Sequence, residues 1–132
     1  MEKKVEESIK TAESWLIEAE NNLNSEAFRS CILSSYLAMF HSARAVLFLE
    51  GFREKSHFAV ARLLESTLVE RGLLEKEWIK LLDYYREIRH ADQYSTSFIA
   101  SREEAENSLE SARKFVERIK RLLRKKGFKS IA

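Results

Sequence analysis

Apolar residues return every three or four positions along nearly the whole chain, with charged residues filling the gaps. Val5, Ile9, Ala12, Leu16, Ala19 and Leu23 form the first stripe, and their spacing predicts a helix from about residue 2 to about residue 23. Asn21, Asn22, Asn24 and Ser25 end it, and Ser25 is the expected N-cap of a second helix carrying Phe28, Cys31, Ile32, Ser35, Met39, Ala43, Val46 and Leu47 and stopped by Gly51. This second segment is the most apolar. Its small residues Ser34, Ser35, Ala38, Ser42, Ala43 and Ala45 would let another helix approach closely, with Tyr36, Phe40 and Phe48 filling around them, so it is expected at the centre of the fold.

GFREKSH reads as a connector, and Ser56 caps a third helix in which Val60, Leu63, Leu64 and Leu68 face inward until Gly72. A fourth helix, from about Glu75 to about Asp92, carries Trp78, Leu81, Leu82, Tyr85 and Ile88. Ser101 followed three positions later by Glu104 is a capping-box pattern opening a last helix through Ala105, Leu109, Ala112, Val116, Ile119 and Leu123 to Gly127. Connections are short except for 93–100, where a mobile functional edge is expected. Five amphipathic segments with short joints predict an all-α, up-and-down antiparallel five-helix bundle, one domain spanning 1–132.

Composition agrees. The 132 residues include no proline and three glycines, so helix breakers are almost absent. A formal charge of +2 does not predict nucleic-acid binding by bulk charge, so any RNA contact must be local. The single Cys31 rules out a disulfide within the chain and reads as core filler. MEKKVEESIKTAES lacks the apolar core of a signal peptide, and a soluble, cytoplasmic protein with no membrane partner is expected.

There is no glycine-rich phosphate loop, HExxH pair, Gly-x-Ser-x-Gly elbow or metal-spaced carboxylate cluster, and no metal or cofactor is expected. The one dense polar constellation is Tyr84 to Tyr94, at the end of the fourth helix. Arg86 and His90, four apart, share a face, and Arg89 lies beside the buried stripe, so two guanidiniums and an imidazole converge. Such a group can bind phosphate, and an imidazole titrating near neutrality can transfer protons, as metal-free ribonucleases require. The same residues also suit a helix C-terminus, where cations meet the negative end of the dipole and Asp92 could pair with either arginine. His41 reads as a satisfied core or interface group and His57 as a residue near a helix start. The basic tail of Lys120, Arg121, Arg124, Lys125, Lys126 and Lys129 fits either an RNA footprint or the same dipole effect.

SSYLAMFHSARAVLFLEG at 34–51, KSHFAV at 55–60 and RHADQY at 89–94 together resemble the HEPN domain proteins of prokaryotes, most closely their small stand-alone members, over about residues 5–123. The resemblance implies a helical bundle that dimerises, with an arginine and a histidine separated by four to six intervening residues forming a metal-independent RNA-cleaving site across the interface. Many members are toxins, or are encoded beside a minimal nucleotidyltransferase acting as antitoxin. Arg89 matches the motif arginine, yet no histidine falls in the window after it or after Arg86, and His90 follows Arg86 one position too early. Tyr94 stands where a histidine would, and tyrosine is a poor base at neutral pH but a good donor to phosphate.

Two function classes follow. In the first, the chain is the HEPN half of a toxin–antitoxin-like module with a nucleotidyltransferase partner, binding RNA or nucleotide through Arg86, Arg89 and Asp92 at a homodimer interface. The small-residue face of the second helix and the apolar surplus of Tyr36, Phe40 and Phe48 add to the expectation of a homodimer. In the second, Arg89, His90 and Tyr94 make it a metal-independent endoribonuclease at the same site. Tyr94 is also the expected target of adenylyl modification by the partner.

Overall fold

Phe28–Leu49 has apolar or small residues on nearly every side, and a helix of that kind is stable only when other elements surround it. It forms α2 and touches α1 (Glu2–Asn24), α3 (His57–Leu64), α4 (Lys76–Tyr94) and α5 (Arg102–Lys125). The structure, a computed structural model, describes residues 2–94 and 99–128, and of 92–94 it describes the backbone alone. Five α-helices and, among the described residues, no strand give the all-α up-and-down bundle that the periodicity predicts. Of the 93–100 connection, residues 93 and 94 belong to α4 and 95–98 lie outside the described residues, as does Lys129.

The core gathers on α2. Ile32, Tyr36, Met39, Val46 and Leu47 are fully buried against Val5 of α1, Leu64 of α3, Leu82 of α4 and Phe115, Ile119 and Leu123 of α5. Small residues allow α1 and α5 to come close enough for polar contact. Ser8 Oγ donates to the His41 carbonyl at 2.7 Å, Ser108 Oγ approaches Ser35 Oγ at 3.4 Å, and the Cys31 thiol donates to the Ala105 carbonyl at 3.6 Å. Burial pushes that thiol up from its ordinary pKa, which suits a core residue. The small-residue face is therefore occupied within the protomer. Tyr36 and Phe40, expected as apolar surplus for a dimer, are buried there too, and Phe48 lies half-buried beneath Lys4 and Arg44.

By length and composition α2 could cross a membrane, but 67% of its most apolar window is buried inside the bundle. Its apolarity is accounted for by packing.

Two starts agree with the sequence. Ser56 Oγ accepts from Ala59 N at 3.3 Å, and Ser101 with Glu104 forms the full capping box at 3.1 and 3.0 Å. Ser25 does not cap α2, because the N-cap is Ala27, with no side-chain hydrogen bond. The reason lies in how α1 ends: Ala27 N donates to Asn22 O at 2.8 Å and Glu26 N to Leu23 O at 3.0 Å, a Schellman closure that leaves Ser25 inside the turn. The third helix runs past Leu64 into a π-helical turn, Glu65–Val69, before its own closure at Gly72. On α4 the deepest residues are Ile79, Leu82 and Tyr85; Ile79 was missing from the expected stripe, and Trp78 is only half-buried.

The Schellman closure of α1 requires a left-handed residue, and Glu26 occupies it at φ 60°. A side chain there costs about 1–2 kcal/mol, and its ion pair with Arg102 is too exposed to compensate. Glu26→Gly should raise stability by about 0.5–1 kcal/mol in urea unfolding, once the larger chain entropy of unfolded glycine is allowed for. A loss of stability would contradict this account of the turn.

Candidate functional site

Burial of Leu82 and Tyr85 fixes the rotation of α4, and that rotation turns Asp83, Arg86, Arg89 and His90 away from the core. Opposite them the capped start of α3 presents Ser56, His57 and Phe58. Between the two lies a cleft of about 410 Å³, lined on the α4 side by Arg86, Glu87, Arg89 and His90. The structure thus brings together three of the residues expected at a site.

Arg86 is held rigidly. Its Nη1 donates to Asp83 Oδ1 at 2.5 Å, while Asp83 Oδ2 accepts from Arg62 Nη2 at 2.5 Å. Both guanidiniums also lie against the exposed ring of Phe58, 5.1 Å from its centroid for Arg86 and 5.3 Å for Arg62. Asp83 is therefore a pairing partner of Arg86 that the sequence reading did not name. The side chains of Asp92 and Tyr94 lie outside the described residues.

Because α4 continues to Tyr94, no basic residue stands in its last turn. The dipole effect is confined to that turn, so it does not explain Arg86, Arg89 and His90. The basic C-terminal helix looks different. Lys120 pairs with Glu13, Arg124 with Glu117 at 2.7 Å, and Lys126 approaches Glu50 at 3.7 Å. A second groove, of about 420 Å³, runs between Trp78 and Arg113, Lys114, Arg118 and Arg121, but Arg113 is paired with Glu20 and Arg118 with Glu75. Most of this positive charge is answered by the protein's own carboxylates.

Sequence reasoning missed His57 as a member of the cleft. Tyr36 is fully buried on α2, and its hydroxyl lies 2.7 Å from His57 Nδ1. Phe40 stacks on the imidazole with centroids 4.0 Å apart and planes at 20°. Burial, then the charges of Arg89, His41, Arg44 and Arg86, lower the His57 pKa to about 4. Burial raises that of Tyr36. The signal available in the sequence was the helical register of Tyr36 and Phe40, four apart on one face of α2, which offers a histidine at the next helix start a place to stack. His41 lies in a separate cleft with Lys4, Arg44 and Phe48, and burial, with Arg44, lowers its pKa.

Among the described residues, no group of three or more His, Cys, Asp or Glu side chains could hold a metal ion. The HEPN domain family model matches residues 5–122. A protein of Methanocaldococcus jannaschii whose name proposes a toxin is 29% identical over 116 residues, 88% of this chain and 86% of its own length. A second such protein from the same organism is 25% identical over 121 residues, 92% of this chain and 82% of its own length. A UPF0332 protein of Pyrococcus horikoshii is 34% identical over 82 residues, 62% of this chain and 58% of its own length.

The lowered pKa of His57 sets a pH dependence of stability. An unfolded histidine takes up its proton near 6.5, and the folded one only near 4, so the unfolded state binds more protons between these values. Stability is complete above about 6.5 and declines as pH falls towards 4. The urea midpoint should drop across this window, and His57→Asn should flatten the slope, leaving a smaller part to His41. An unchanged slope in His57→Asn would refute the assignment.

Proposed function

This chain belongs to the HEPN domain family, and we propose that it is the toxin-like component of a toxin–antitoxin-like module, binding RNA or a nucleotide through phosphate at the cleft of Arg86, Arg89 and His90. One observation carries the reading. Two guanidiniums and an imidazole from successive turns of α4 line one cleft, away from the dipole end of the helix, and Asp83 and Phe58 hold the first guanidinium in place. Arginine meets phosphate with planar paired donors, and fixing it beforehand reduces the entropy lost on binding. The relatives whose names propose toxins support the toxin side of the module.

The partner in this reading is a minimal nucleotidyltransferase acting at Tyr94, and the chain works in the cytoplasm as a homodimer with the 86–94 segment near its two-fold axis. Phe58, which lines the cleft and is more than half exposed, supports a second copy there. A phosphodiester attached to Tyr94 would place an anion on the helix that carries Arg86 and Arg89, and so compete with RNA. The alternative is a metal-independent endoribonuclease using Arg89, His90 and Tyr94. Its support is that an imidazole and two guanidiniums share the cleft.

Titrating the protein with single-stranded RNA in chelator separates the two. The binding reading expects Arg89→Ala to weaken binding about tenfold or more with no cleavage by the wild type, whereas Arg89-dependent cleavage would establish the nuclease. Equal binding by both proteins would remove the site. Light scattering at micromolar concentration should return twice the chain mass, and co-expression with a small nucleotidyltransferase should add adenylyl mass that Tyr94→Phe abolishes.

A further inference from the structure

His57 is not part of the arginine–histidine pair that the resemblance assigns to RNA cleavage, yet it lines the cleft. Its ring is fixed in plane by Tyr36 and on one face by Phe40. The Tyr36 hydroxyl is the key. It is buried with its whole residue, and among the described residues the acceptor it meets is His57 Nδ1. A buried hydroxyl hydrogen without an acceptor costs about 1–3 kcal/mol, so the hydroxyl donates and Nδ1 accepts. A neutral imidazole whose Nδ1 accepts carries its hydrogen on Nε2. That nitrogen lies on the ring edge away from Tyr36.

We infer that His57 is a phosphate-recognition residue of this cleft, its Nε2–H donating to a phosphate oxygen held by Arg86 and Arg89, with Tyr36 as the positioning residue that fixes the tautomer. The inference rests on reading the cleft as a phosphate site and names how that site takes its ligand. The surroundings keep the ring neutral: Tyr36, His41 and Arg44 on α2, and Arg86 and Arg89 on α4, supply burial and positive charge, while the carboxylates that face the cleft among the described residues, Asp83 and Glu87, are paired with Arg86. A neutral donor beside two guanidiniums adds directionality without adding a third charge that would repel them.

The test pairs two amides. Asparagine at 57 can place Oδ1 near the Nδ1 position and satisfy Tyr36, but nothing reaches the position of Nε2; glutamine carries an N–H to about that position. Binding is read with a 2′-O-methyl oligoribonucleotide, which neither wild type nor variant can cut by attack of a ribose hydroxyl, and with adenosine monophosphate to distinguish an RNA from a free nucleotide. His57→Asn should lose roughly tenfold or more in affinity for whichever probe binds, and His57→Gln should recover most of it. Nitrogen NMR of the wild type should show Nε2 protonated and Nδ1 accepting, unchanged as pH falls through 6.5, whereas Tyr36→Phe should give mixed tautomers and a few-fold weaker binding. A wild type protonated on Nδ1, or a His57→Asn that binds as wild type while Arg89→Ala does not, overturns the inference and leaves the site standing. Failure of the wild type to bind either probe overturns both.

Discussion

Everything in this fold depends on enclosing α2, a helix with almost no polar face. Such a helix has to be covered on all sides, and among the described residues the four other α-helices cover it. Close approach is possible because its contact positions are serine and alanine, and the serine hydroxyls find partners in their own turn or, for Ser35, in Ser108 of α5. Ser34 donates to Ser30 O and Ser42 to Met39 O, each at 2.8 Å. The arrangement leaves one large polar group deep on α2 that cannot be satisfied by its own helix. That group is the Tyr36 hydroxyl, and its partner has to come from α3.

This links core and cleft. Tyr36 needs His57, His57 is the first residue of α3, and Ser56 caps that helix at the residue before it. The other wall is set just as firmly, since Leu82 and Tyr85 anchor α4 while Asp83 ties Arg86 to Arg62 across the same gap. The two walls are thus joined by an ion-pair bridge and by a shared aromatic, Phe58, that both guanidiniums touch. A phosphate entering the cleft would meet groups whose geometry the core has already fixed.

The helices were legible because their stripes, caps and glycine stops all agree, from Ser56 and Ser101 to Gly51, Gly72 and Gly127. Ser25 misled for a physical reason: a non-glycine residue, Glu26, takes the left-handed position, so the turn ends two residues later than its composition suggests. The α4 half of the cleft was legible because Arg86, Arg89 and His90 lie on one helix, where register alone places them together. His57 and Asp83 were not. Their roles depend on contacts with residues 21 positions away, Tyr36 and Arg62, and local periodicity carries no information about such pairs.

The two imidazoles of the cleft stand in different environments, and the difference assigns them different work. His57 is half-buried, stacked and occupied at Nδ1, so its free edge offers a hydrogen and has no lone pair with which to accept a proton. His90 is exposed on the rim, one turn beyond Arg86. If the cleft only binds, His57 completes an anion site with the arginines and His90 is peripheral. If it cleaves, proton transfer falls to His90, to Glu87 or to a group outside the described residues, while His57 stabilises charge building on the phosphate oxygens. Under both readings the buried tyrosine makes His57 a donor, so the choice between module and nuclease turns on what happens at the exposed end of α4.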